Sequence, residues 1–153
     1  QSQFLTNHSG WKPAEKADVT ALEKQAKQMM GIPYLWGGTS WKGVDCSGFT
    51  RMIYLSQGIL LPRDASQQVV EGQLIATSTK ELSKLEKGDL LFFGRVTPEG
   101  QEKVTHVGMW LGGNQFIHSS GFVRIASMDA RSPLYDAFNY NRFLRAKRIL
   151  PSL

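Results

Sequence analysis

Before Lys87 the apolar residues of this chain recur at helical spacing; after it they collect in short runs separated by glycine-bearing turns. A chain that is helix-periodic first and strand-periodic afterwards has few ways to bury both patterns. The compact solution packs the helices on a small antiparallel sheet, the α+β arrangement. In the first half, Pro13 reads as a first helical residue, and Val19, Leu22, Ala26, Met29 and Met30 fall on one helix face. Gly31, Pro33, Gly37 and Gly38 end that helix and open a glycine-rich loop. A second amphipathic helix fits 46–57, with Phe49, Met52, Ile53 and Leu55 apolar and Gly58 as its stop, and 66–71 suits a short third. In the second half, 90–93, 107–111, 115–118 and 143–149 read as strands, and 123–125 as a weaker one. The segment 97–103, polar with one Pro and one Gly, reads as an exposed loop between two of them.

A length of 153 residues suits one domain. Residues 1–12 show no period and read as a lead-in or the remnant of an upstream domain, which leaves 13–153 as the domain proper. Hydrophobic residues at 41% and charged residues at 20% exclude wholesale disorder, collagen and coiled coil. No apolar run approaches the length of a membrane span. A chain opening on Gln1 reads as a processed or truncated product with no signal peptide left in it. The formal charge of +5 and a pI near 9.5 favour polyanions: nucleic acid, anionic lipid or bacterial cell wall. The one basic cluster, Arg142, Arg145, Lys147 and Arg148, alternates with apolar residues. It reads as the solvated face of an edge strand rather than a nucleic-acid surface.

Cys46 is the only cysteine. It excludes an internal disulfide and any multi-thiolate metal site. It stands where the loop Gly43, Val44, Asp45 meets a helix start. The first N–H groups of a helix lack internal partners and carry the positive end of its dipole. That end lowers a thiol's pKa and offers donors to a tetrahedral oxyanion. Judged alone, a single cysteine is better read as a small buried hydrophobe.

Of the three histidines, His8 lies in the aperiodic lead-in and reads as solvated. His106 and His118 flank Gly112, Gly113 and Asn114, the turn of one apparent hairpin. A base and its orienting partner on neighbouring strands is what a Cys–His–His triad needs; two histidines satisfied by sheet neighbours is the other reading. The two are twelve positions apart, so a regular two-residue turn would put them on opposite faces. A shared face needs an odd-numbered loop or one bulge, and Gly112 and Gly113 supply the positive φ for a glycine bulge. There is no GxxxxGK[ST] loop and no HExxH pair. The two histidines and Asp129 have no metal-ligand spacing, so no metal and no cofactor is expected.

The stretch 31–49 (GIPYLWGGTSWKGVDCSGF) closely resembles the signature of the NlpC-type cell-wall cysteine endopeptidases. The segments 62–68 (PRDASQQ), 87–93 (KGDLLFF), 105–109 (THVGM) and 115–118 (QFIH) resemble its later blocks, in the same order. The resemblance implies a papain-like fold and cleavage of γ-D-glutamyl bonds to diamino acids in peptidoglycan stem peptides. It implies Cys46 as nucleophile, His106 as base and His118 as the orienting third member, with a thiolate–imidazolium pair at rest. The oxyanion would be met by the Cys46 N–H and the Tyr34 hydroxyl. Within the family, Arg63 and Asp64 are similar to the YkfC-like, or dipeptidyl-peptidase VI, branch. There the acidic residue meets the free amine of L-Ala-γ-D-Glu; a helix cap is the other reading of Asp64. Tyr34, Asp45 and Ser47 match positions lining the same pocket. Branch members usually carry upstream SH3-like domains, of which at most a remnant precedes Ala14. The rivals are a general murein endopeptidase or amidase on the same scaffold and a non-catalytic wall-binding module. A bacterial envelope location, periplasmic or secreted, follows from the substrate.

Overall fold

A computed structural model describes residues 17–150. Pro13, His8 and the lead-in lie outside the described residues. Helix α1 (Val19–Gln28) begins behind Asp18, whose carboxylate accepts from the Thr20 N–H at 2.8 Å. It buries Leu22 and Ala26, with Met29 just past its end; Met30, expected on the same face, is 45% exposed. A two-rung hairpin of β1 (Thr39–Ser40) and β2 (Gly43–Val44) follows. Helix α2 (Cys46–Leu55) then runs to Gly58, whose φ of 74° makes the left-handed stop expected of it. Helix α3 is a single turn, Ala65–Gln68.

The sheet strands are β3 (Gln73–Ala76), β4 (Leu90–Val96), β5 (Glu102–Gly112), β6 (Gln115–Ser120), β7 (Phe122–Ser127) and β8 (Phe143–Arg148). A 3₁₀ turn (Thr79–Lys84) precedes β4, and α4 (Ala137–Tyr140) precedes β8. They pair in the order β3-β8-β4-β5-β6-β7, with antiparallel neighbours throughout. The fold is α+β, as the switch of period at Lys87 predicts.

The run Leu90, Leu91, Phe92, Phe93 is wholly apolar because both sheet faces are covered there. Leu90 and Phe92 join Phe49, Ile53 and Val107 beneath the helices. Leu91 and Phe93 join Trp110, Phe116 and Ala146 on the other side. All four of the run are fully buried, and each is worth about 1.5–3 kcal/mol of transfer free energy.

Strand β8 lies between β3 and β4 and is not an edge strand. Its basic residues are neutralised by acids distant in sequence: Arg145 pairs with Glu102 at 2.8 Å, and Arg148 with Asp89 at 2.8 Å. Lys147 is buried and Arg142 donates to Thr105. No described helix is long and apolar enough to cross a membrane.

Candidate active site

Two irregularities in β5 place His106. Phe93 pairs with His106 but Gly94 pairs with Val104, so Thr105 is an extra residue bulged out just before the histidine. At the other end, Trp110 pairs with Phe116 and Gly112 with Gln115, a one-residue register shift. Gly112, Gly113 and Asn114 have φ of 84°, 58° and 60°. The turn is therefore a two-residue one, Gly113 and Asn114, corrected by a bulge at Leu111–Gly112. That bulge restores the shared face: His106 Nε2 and His118 Nδ1 are 2.7 Å apart, their rings edge-on at 72°.

Gly108 is cross-strand from His118 and was not singled out by sequence. A Cβ there would sit 3.1 Å from the His118 Cβ and 3.0 Å from Phe116 Cδ2. The missing side chain makes room for the imidazole. His118 is fully buried and stacks edge-on against Phe116 at 4.8 Å; His106 is half-buried and packs on Phe93.

Anchors on both sides of the loop hold the thiol against the strands that carry the histidines. Gly31 and Tyr34 donate to the carbonyls of Val123 and Gly121, at 2.8 and 2.9 Å, pinning the loop to β7 and its entry turn. Ser119, next to His118, donates to the Val44 carbonyl at 2.9 Å, two residues before Cys46. Helix α2 packs against β5 and β6, and the Val107 N–H points at the thiol. Gly48 has no alternative: a Cβ there would lie 2.1 Å from the Gly38 carbonyl oxygen.

Asp45 is the most heavily bonded group at the site. Its Oδ1 accepts from Gly48 N–H at 2.7 Å and Arg63 at 3.0 Å; its Oδ2 accepts from Gly37 N–H at 3.0 Å and Arg63 at 2.7 Å. Ser47 Oγ also donates to Oδ1 at 3.4 Å and receives Arg63 at 3.0 Å. Burial pushes this carboxyl up, but Arg63 and the two N–H groups outweigh it, and its pKa ends below the usual range. Asp45 and Arg63, both expected to meet substrate, are thus bound to one another. Gln68, fully buried, locks α3 to α2 through Ser47 O, Pro62 O and Thr50 Oγ1. No periodicity marks such a residue.

Asp64 holds the N-cap position of α3, and Gln67 Oε1 accepts from its N–H at 3.2 Å. Its carboxylate is exposed and carries no ion pair among the described residues. Tyr34, Trp36, Asp45, Cys46, Ser47, Arg63 and Asp64 line one cleft of about 620 Å³. A larger groove of about 810 Å³ runs along β7 past Phe122, Leu134 and Phe138, but holds no thiol. The smaller cleft is the chemical one. Among the described residues no cluster of three or more His, Cys, Asp or Glu could hold a metal ion.

Protonation departs from the sequence expectation. Burial pushes the Cys46 thiol up; the Val107, Ser47 and Cys46 N–H groups pull it down but do not prevail, and Asp45 adds to the rise. Burial also pulls the His106 imidazole down to about 3, helped by His118 and Arg142 and opposed by Asp136. His118 is held down to about 4, again by burial, with Asp136 opposing and Arg124 assisting. Both directions favour a neutral thiol and a neutral imidazole at rest over a thiolate–imidazolium pair. The helix-end argument omitted the desolvation that comes with burying the sulfur.

The sequence matches the NlpC/P60 family over residues 31–145. The chain belongs to this family. It is 38% identical over 130 residues to a γ-D-glutamyl-L-lysine dipeptidyl-peptidase of Bacillus cereus, covering 85% of this chain and 36% of that protein. It is 42% identical over 90 residues to the protein of the same name from Bacillus subtilis, covering 59% of this chain and 28% of that one. This NlpC/P60 chain thus spans about a third of those relatives' length. In structure it is similar to an NlpC/P60 family protein from Bacillus cereus, with a TM-score of 0.74 and 34% identity over 90% of this chain and 42% of the other.

Proposed function

We propose that the chain is a cysteine endopeptidase hydrolysing the γ-D-glutamyl–L-diamino acid bond of peptidoglycan stem peptides, acting at the bacterial envelope. One observation carries the reading. A thiol at a helix start opens on a cleft whose wall includes Thr105, the residue before His106, and His106 and His118 stand in 2.7 Å contact on one sheet face, in a chain whose relatives bear that peptidase name.

His106 Nε2 is engaged by His118, which leaves Nδ1 to act as base. As the sulfur attacks the γ-carbonyl carbon, the thiol proton passes to His106 Nδ1 and a C–S bond forms. The oxyanion is met by the Cys46 N–H, with the Tyr34 hydroxyl on the same cleft wall. Collapse breaks the C–N bond, and His106 returns its proton to the leaving amine. A water molecule, deprotonated by His106, then cleaves the thioester and releases the γ-glutamyl product. Neutral groups at rest suit this order, because charge appears only as the proton moves.

Asp64 is the one charged lining residue outside the Asp45–Arg63 pair. We assign it to the free amine of an N-terminal L-Ala, which makes released stem peptides the preferred substrates. Its N-cap position and the reciprocal Gln67 bond favour the rival, a general wall endopeptidase in which Asp64 only caps α3. The test is incubation with L-Ala-γ-D-Glu-L-Lys and its diaminopimelate counterpart, reading released dipeptide by mass spectrometry. Release that disappears in Cys46→Ala supports the reading. Equal release by Cys46→Ala overturns it, and binding without release points to a wall-binding module.

A further inference from the structure

Proton positions along the two imidazoles are fixed once His106 Nδ1 is to receive the thiol proton. Neutral His106 must then carry its hydrogen on Nε2 and donate it to His118 Nδ1, 2.7 Å away. His118 Nδ1 being the acceptor, its own hydrogen must sit on Nε2. That atom is buried and, among the described residues, is one of two buried side-chain polar atoms without a hydrogen-bond partner. The other is Asn139 Oδ1. Both flank one group. Asp136 Oδ2 lies 4.0 Å from His118 Nε2 and accepts from Asn139 Nδ2 at 2.6 Å.

Resting on the cysteine-peptidase reading above, we propose that Asp136 is a positioning residue for the imidazole pair. Its carboxylate selects the Nε2–H tautomer of His118 and so keeps His106 Nδ1 free to act as base. A separation of 4.0 Å is too long for a hydrogen bond, so the contact is a charge facing an N–H dipole in a dry setting, where such contacts weigh more than in water. The carboxylate is held in place. Its Oδ1 caps α4 through the Asn139 N–H at 3.0 Å, and the Asp136 N–H donates to Ser127 O on β7 at 2.9 Å. Strand β7 is hydrogen-bonded to β6, which carries His118.

The charged groups facing the pair from the packed elements are Arg124 on β7, Arg142 before β8 and Asp136 before α4. Asp136 is the acidic residue among them, and its effect on the imidazoles opposes that of both arginines. When the thiol proton reaches His106 Nδ1, the positive charge spreads through Nε2–H···Nδ1 to His118, whose Nε2–H faces the carboxylate. No proton enters or leaves the chain of groups.

Asp136→Asn and Asp136→Ser both keep an acceptor for the Asn139 N–H, so the α4 cap survives. In each, kcat on L-Ala-γ-D-Glu-L-Lys should fall roughly 10- to 100-fold, while KM stays within about twofold. Imidazole ¹⁵N spectra of the full chain, recorded without substrate, should show His118 as a single Nε2–H tautomer that becomes mixed in both variants. Unchanged kcat, or an unchanged His118 tautomer in both variants, overturns the proposal. Failure of the peptidase reading is distinguishable: the unmodified chain then releases no dipeptide, and the tautomer spectra still decide the role of Asp136.

Discussion

His106 and His118 touch, Nε2 to Nδ1 at 2.7 Å, because β5 carries one extra residue, Leu111, just before Gly112 and a two-residue turn. Without that residue the alternation of strand side chains would send the two imidazoles to opposite faces. With it, both share the sheet face that carries Phe93 and Phe116, and the remaining question is how tightly the neighbours hold them.

Gly108 answers part of that question. A valine there would put its Cβ within 3.1 Å of the His118 Cβ and 3.2 Å of the Ile117 carbonyl oxygen. Overpacking of this kind costs about 1–3 kcal/mol. Gly108→Val should lower the denaturation midpoint and, at temperatures where the chain is still folded, lose most dipeptide release because His118 is displaced. Wild-type kcat in the folded variant would show that His118 has slack to spare.

The neutral resting pair makes a prediction about the thiol. Alkylation of Cys46 by iodoacetamide, without substrate, should be slow at pH 6 and climb with pH past the ordinary cysteine value of about 8.5. Burial is the cause, since it pushes the thiol up. A rate that is flat and fast from pH 5 upward would restore the thiolate–imidazolium pair.

Stability should follow the same burial. In the unfolded chain both imidazoles take a proton near 6.5, whereas folded His106 and His118 take one only at about 3 and 4. Over that window the unfolded state holds more protons, so stability rises with pH. The contribution is fully present above 6.5 and is lost as pH falls toward 3. The urea midpoint should be lower at pH 5 than at pH 7.5, and His118→Asn should narrow that difference. A midpoint independent of pH over this range would mean that the two rings are solvated.

What could be read in advance divides along a physical line. Local signals held: the period switch at Lys87, the Gly58 stop, and the parity argument that demanded an irregularity at Gly112. Non-local partners were invisible. The basic alternation in β8 looked like a wet edge because its partners, Asp89 and Glu102, lie 59 and 43 residues away. Strand β3 is four residues long and reads as loop until β8 supplies its pairing. Residue chemistry and resemblance single out Cys46 and the histidines, but the burial of the thiol is not visible in the sequence, since helix dipoles are local and burial is not. Gln68 and Asp136 act through contacts that only folding creates.

The last prediction concerns Asp64 and the choice of substrate. A carboxylate meeting an ammonium in a cleft is worth about 1.5–3 kcal/mol when the bond is charge-assisted. Asp64 is exposed in the free chain, so the value should sit toward the lower part of that range until substrate covers it. Blocking the amine should therefore reduce kcat/KM by roughly 10- to 150-fold. N-acetyl-L-Ala-γ-D-Glu-L-Lys compared with the free tripeptide gives this ratio directly. Asp64→Asn should shrink it, mainly by slowing the free peptide, and it leaves the Asp64 N–H to Gln67 bond in place, so α3 should persist. Arg63 provides the contrast, its charge being met by Asp45 through both terminal guanidinium nitrogens. Equal kcat/KM for the free and acetylated peptides with the unmodified chain would leave Asp64 as the cap of α3 and widen the substrate to intact wall.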